Sequence, residues 1–166
     1  RIDDLSLQNY RETLDSSSNN VSLLSPDDSK DPYYAFHGWA GIEGLEENDT
    51  PNASTIWTLK SGRVLTENSP ITLSWKNDKG IIFEKTISID ENYMFEISQS
   101  VINGSSKNIK LYPYGNLTRN GQPDTIGFYI LHEGVVGMHD GELIETNYGD
   151  IPDLSREEVT REIQQN

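Results

Sequence analysis

The clearest alternation of apolar and polar positions begins after Pro70. In residues 71–76, ITLSWK, Ile71, Leu73 and Trp75 fall on one side while Thr72, Ser74 and Lys76 fall on the other, the period of a half-buried strand. A turn at Asn77, Asp78, Lys79 and Gly80 follows, with Gly80 free to take a positive φ. The next run, IIFEKTISID, repeats the period. Ile81, Phe83, Ile87 and Ile89 share a face on which Lys85 is the exception, and Glu84, Thr86 and Ser88 point the other way. After a turn at Asp90 to Asn92, YMFEISQSV puts Tyr93, Phe95, Ile97 and Val101 on one side and Glu96, Ser98 and Ser100 on the other. Three such runs joined by short turns predict an antiparallel meander.

The rest of the chain is less regular. Residues 1–10 alternate weakly and predict a strand entering a turn, and the Ser-, Asn- and Asp-rich stretch 12–31 is broken by the apolar run Val21 to Leu24. Residues 32–44, PYYAFHGWAGIEG, bring aromatics to the core with glycines that let the backbone turn. Residues 46–53 are polar, hold Pro51, and are expected to form a mobile loop; residues 55–59 fit a short strand. The loop 103–108 leads to 111–134, LYPYGNLTRNGQPDTIGFYILHEG, an aromatic and glycine-rich segment with a turn at Asn120, Gly121 and Pro123 and a further strand at 125–132. Only the tail predicts helix, from the capping box of Ser155 with Glu158 and from Val159 and Ile163 four apart.

Composition narrows the function. With 166 residues, of which 34% are hydrophobic and 24% charged, the chain is expected to form a single domain over 1–166 that buries roughly 70% of its unfolded surface. The formal net charge of −14 repels phosphate backbones, so nucleic acid is not an expected partner. There is no cysteine, which excludes disulfides, thiolate metal sites and a cysteine nucleophile. No run approaches the ~18 apolar residues of a membrane span.

No catalytic constellation stands out. His132 and Glu133 are neighbours that point apart on a strand, and His37 and His139 have no partner at ligand spacing, so neither a metal site nor a cofactor is expected. The acidic pairs Asp3–Asp4, Asp27–Asp28 and Glu46–Glu47 fit solvated loops. Glycosylation sequons at Asn20, Asn48, Asn52, Asn103 and Asn116 fit chance in a chain rich in Asn, Ser and Thr. Tyr112, Tyr114, Phe128 and Tyr129 are a candidate aromatic cleft for an apolar segment or a sugar face, weighed against plain core packing.

Several blocks resemble one family. RIDDLSLQNYRETLD at 1–15, SLLSP at 22–26, PYYAFHGWA at 32–40, ISIDENYMFEISQSVIN at 87–103, LYPYGNLTRNGQP at 111–123 and GFYILHEGVVG at 127–137 are similar, in order, to the periplasmic domain of the bacterial membrane protein insertase YidC, of the α-proteobacterial type. Residues 153–166 depart from that text.

The resemblance implies an all-β antiparallel β-supersandwich, similar to galactose mutarotase, on the periplasmic side of the bacterial inner membrane. This chain would be a fragment of the longer family domain, joined to the membrane only through segments it does not contain. It also implies a non-catalytic role beside nascent membrane proteins and Sec translocon accessory subunits. The expected partner-facing surface is the polar parity of 81–117: Glu84, Thr86, Ser88, Glu96, Ser98 and Ser100. The rival expectation, from the related fold, is a sugar-binding or sugar-processing module, with an aromatic platform near paired carboxylates.

Overall fold

The computed structural model describes residues 1–123 and 132–151. The chain divides into two units, Arg1–Asn120 and Gly121–Asn166. All strand pairings among the described residues are antiparallel, so the all-β antiparallel class is as expected. The strand expected at 125–132, apart from His132, and the C-terminal helix expected from Ser155 lie outside the described residues, as do Phe128 and Tyr129.

In the first unit the meander forms at its expected bounds. Strands β5 (Ile71–Lys76), β6 (Ile81–Ile89) and β7 (Phe95–Asn103) pair in unbroken register, and β4 (Thr58–Ser61) completes a sheet of order β4-β5-β6-β7. Gly80 has the positive φ its turn needs, at 84°. The β6–β7 turn runs longer than expected, to Met94, and Tyr93 takes a left-handed φ of 62°. That conformation is unusual for a bulky residue; it is held by the Asp90 carboxylate, which accepts from the Asn92 and Met94 N–H groups at 2.9 and 2.8 Å.

The second layer is a ribbon of β3 (Tyr33–Glu43) with β8 (Lys110–Arg119). β8 leaves the meander after β7 and crosses to β3, so the expected surface over 81–117 ends at β7 on the sheet. The glycines of 32–44 divide: the strand runs through Gly38 and Gly41, while Gly44, just past its end, bends the backbone with a φ of 75° as expected. A Cβ on Gly38 would stand 2.7 Å from the Tyr114 ring; the glycine admits a close side chain, the other common use of glycine in a strand. A smaller ribbon, β1 (Leu5–Arg11) with β2 (Asn20–Leu24), adjoins β3 through single bridges, Ile2 to Ala35 and Ser25 to Tyr33.

The core lies where β6 meets β3. Phe83 and Ile81 are fully enclosed and Trp39 nearly so, with Trp57, Trp75, Leu111 and Val101 around them. Phe83 meets Trp39 edge-on at 5.1 Å and Trp75 at 5.7 Å, and Trp39 stacks on Trp57 at 6.3 Å. Such pairs add about 0.5–1.5 kcal/mol beyond the area they bury. Lys85, the exception in the apolar period, does face this core. Its ammonium donates to the His37 carbonyl and lies over the rings of Trp57, at 4.7 Å, and Trp39, at 5.5 Å. Gln99, directly across from it on β7, donates to the Gly38 carbonyl at 2.8 Å. Two polar side chains thus tie the sheet to adjacent carbonyls of β3.

The segment expected to be a mobile loop is anchored instead. A short 3-10 turn, Glu47–Asp49, buries Asp49, whose carboxylate accepts from the Glu46 N–H and pairs with Lys79 Nζ, both at 2.6 Å. The buried Asn77 side chain donates to the Asp49 carbonyl and accepts from the N–H groups of Lys79 and Ile81. Polarity marks a loop correctly, but pairing of its polar groups decides whether it is tethered.

In the second unit, β9 (Gly134–His139) and β10 (Glu142–Asn147) form a hairpin in full register. Its two-residue turn is Asp140 and Gly141, with φ of 48° and 82°, the pair of positive values that a tight hairpin of matched twist requires.

Phe83→Ala should lower unfolding stability by about 3–5 kcal/mol through the cavity it leaves, measurable by urea titration. At Lys85, pH reads the cost of burying an ammonium. Burial pulls its pKa below the ordinary lysine value, so the unfolded chain holds that proton more tightly. The Lys85 contribution to stability should therefore rise as pH climbs through the lowered pKa and level off above the unfolded value, about 10.4. Lys85→Met should remove that rise, read as urea midpoints between about pH 7 and about pH 10.5.

Candidate functional site

Strand alternation sends every second residue of β5, β6 and β7 away from the core. The resulting face carries all six residues of the expected partner-facing surface, as three directly opposed pairs: Glu84 with Ser100, Thr86 with Ser98, and Ser88 with Glu96. The pairing continues onto β5, with Ser74 beside Glu84 and Thr72 beside Thr86, and onto β4, with Thr58 beside Ser74. The face is therefore paved with short hydroxyl side chains. On β7, Glu96, Ser98 and Ser100 are exposed, while Glu84, Thr86 and Ser88 on the central strand are half-buried.

Two interactions set its electrostatics. Lys60 reaches across from β4 to Glu84 at 2.5 Å, and the Thr72 and Thr86 hydroxyls share a hydrogen bond at 3.0 Å. Glu84 keeps only 13% of its side chain exposed, whereas Glu96 remains in solvent. The sequence period located these residues, but it missed Thr58, Thr72, Ser74 and Lys60 as members of the face. The signal was present in ITLSWK, whose polar parity is equally hydroxylated, and only cross-strand register joins the two sets.

The aromatic candidates divide. Tyr112 and Tyr114 stand opposite Ala40 and Gly38 on the β3–β8 ribbon, on the face turned away from Trp39. They join Tyr34 and Phe36 in a stripe, with Phe36 and Tyr114 edge-on at 6.1 Å and Tyr34 and Phe36 stacked at 6.5 Å. The Arg1 guanidinium covers Tyr34 and the Lys110 ammonium covers Tyr112. Tyr34 and Phe36 went unrecognised in the sequence because they were assigned to the core as a block with Trp39. Neither of two cavities of about 340 and 350 Å³ includes the stripe; one is lined by Tyr93, Asp90, Glu91 and Glu67, the other by Tyr33, Ser25, Lys30 and Arg119.

The histidines do not converge. His37 is half-buried on β3, and burial, then the nearby Lys85 ammonium, lowers its pKa. His139 ends β9, its Nε2 3.7 Å from Asp140. His132 and Glu133 lead into β9, where the Glu133 carbonyl accepts from the Tyr148 N–H at 2.9 Å. Among the described residues no group of three His, Cys, Asp or Glu side chains is placed to hold a metal ion. No helix among the described residues is long and apolar enough to cross a membrane.

These observations define a class: an antiparallel all-β domain with two layers in its first unit and a broad hydroxyl-rich sheet face. No solved structure matches the chain. Among known proteins, the model described as the YidC periplasmic domain matches residues 1–166. Similar relatives are the membrane protein insertases YidC of Dinoroseobacter shibae, 48% identical over 99% of this chain and 28% of the relative, and of a Ruegeria species, 52% identical over 93% and 26%. A third, from a Jannaschia species, is 50% identical over 98% and 26%.

The chain belongs to the YidC periplasmic domain family, and so to the periplasmic side of the bacterial inner membrane. It spans about a quarter of the length of these relatives. The match runs through Asn166, which corrects the apparent departure of 153–166 from the family.

Because Ser98 and Ser100 are exposed and point away from the core, Ser98→Lys and Ser100→Lys should each change stability by no more than about 0.5 kcal/mol. Urea titration of each variant checks this.

Proposed function

We propose that this chain acts as a non-catalytic periplasmic domain of an inner-membrane insertase. In that role it assists insertion and folding of membrane proteins, alone or together with accessory subunits of the Sec translocon. Its contact surface is the hydroxyl-rich face built on Glu84, Thr86, Ser88, Glu96, Ser98 and Ser100. The observation that carries the reading is family membership over the full 166 residues, together with relatives named membrane protein insertase.

The face suits transient contact. Ser and Thr hydroxyls donate and accept in turn, so they engage varied polypeptide backbones without demanding one sequence. The acidic net charge of −14 adds attraction for cationic segments and disfavours anionic lipid headgroups. Burial of the sheet's other face on the β3–β8 ribbon leaves this one as the side from which a partner reaches the meander. The sugar-module alternative is not carried forward, since the relatives bear insertase names.

A photoreactive amino acid placed at Ser98 or Ser100 of the full-length insertase in native membranes should crosslink to nascent membrane proteins or to Sec accessory subunits. The same probe at Leu14, which is fully exposed in the β1–β2 loop, should give little product. Crosslinks confined to loops such as that one would overturn the assignment of the face.

A further inference from the structure

Two basic side chains meet in the joint between the layers. The ammonium of Lys85 donates to the His37 carbonyl, so the residue that receives this charge also carries a titratable ring. His37 shares the strand parity of Trp39, which turns its imidazole to the core side of β3. There the half-buried ring lies against Gly115, its partner on β8, where a Cβ would stand 3.0 Å from the His37 Cδ2.

The strands around the ring hold no compensating charge. Its neighbours on this side of the ribbon are Ala35 and Trp39 on β3 and Pro113 and Leu117 on β8. From the facing sheet, β6 brings Lys85 between Phe83 and Ile87, and β7 brings the neutral Gln99 directly across from Lys85. The α-amino group of Arg1 also acts on the ring, more weakly than Lys85, while Asp3 is tied to the Arg1 guanidinium at 2.6 Å. Burial first, and then the repulsion from Lys85, holds the pKa of His37 below its ordinary value. Charges in such a half-buried setting are screened less by salt than those on the surface.

We propose that His37 is an acid-sensitive catch in the β3–β6 joint: a proton taken up by its ring sets a second cation against Lys85 and loosens the two layers. The contacts at risk are the ones that hold β3 over β6, namely Lys85 on the His37 carbonyl and, beside it, Gln99 on the Gly38 carbonyl. The direction follows from linkage. The unfolded chain binds this proton more tightly than the folded one, so the joint is at full strength above the unfolded value of about 6.5 and weakens as pH falls through the lowered folded value. The device lies within the first unit and is independent of which partner the hydroxyl-rich face meets.

Hydrogen exchange on the full-length insertase in nanodiscs, corrected for the intrinsic pH dependence of amide exchange, tests the catch. The window runs from about pH 8 down to about pH 5, above the ordinary carboxylate range. Amides of β3 and β6, residues 33–43 and 81–89, should lose protection as pH falls, with a midpoint below about 6.5. His37→Gln, which keeps a neutral polar side chain, should hold the protection of the neutral-pH form throughout; His37→Asn replaces it if thermal melting shows that the glutamine variant is unfolded. Lys85→Met should move the midpoint upward, toward the ordinary histidine value, whereas Lys85→Arg keeps the charge and should leave the midpoint low. Three results would each overturn the proposal: full protection down to about pH 5, the same loss in a folded neutral variant of His37, or an unchanged midpoint in Lys85→Met.

Discussion

The contact between β6 and β3 is the constraint on which the first unit depends. Phe83 is wholly enclosed beneath Trp39, and two residues along the strand Lys85 enters the same layer with a charge. An ammonium in an apolar interior is costly unless it is both paired and hydrogen-bonded. Here the His37 carbonyl accepts from it and it lies over the faces of two tryptophans. Cation–π contacts of this kind strengthen as water is excluded. The requirement that both rings and one carbonyl meet at Lys85 fixes how β6 lies under β3, and Gln99 on Gly38 repeats the constraint one strand over.

That arrangement also explains why the functional face is polar and flat. A strand buried on one side must alternate, and a register slip by one residue would send Phe83 and Ile81 into solvent. The unbroken β5–β6–β7 register is thus held by the core, and the hydroxyl pairs on the other side inherit their alignment from it. Core packing and partner surface are two sides of the same strands. A substitution in Ser98 or Ser100 leaves the packing alone, whereas one in Phe83 disturbs both.

The edges and turns complete the link from sequence to interaction. The β5–β6 turn is locked by Asn77, and through Lys79 and Asp49 it holds the 3-10 turn that precedes β4. The β6–β7 turn is held by the Asp90 carboxylate, with Tyr93 edge-on to Tyr10 at 5.8 Å. Both ends of β6 are thereby secured.

The period-2 runs of ITLSWK, IIFEKTISID and YMFEISQSV determined by themselves three strands, their order and the six residues of the polar face, because alternation and short turns are local properties. The ordered sequence blocks determined the family. Tertiary structure alone decided the rest. The departure of β8 to pair with β3 is a long-range choice that no local pattern encodes. The aromatics of 32–44 separate onto opposite sides of β3, so that Trp39 enters the core while Tyr34 and Phe36 join Tyr112 and Tyr114 outside it. Asp140 and Gly141 were a legible hairpin signal that went unread because Gly134 to Asn147 lacks a clean alternation. Lys85 shows the division most plainly: the sequence marks it as a break in the apolar face, and only the His37 carbonyl and the rings of Trp39 and Trp57, brought from elsewhere in the chain, make that break a tie between layers.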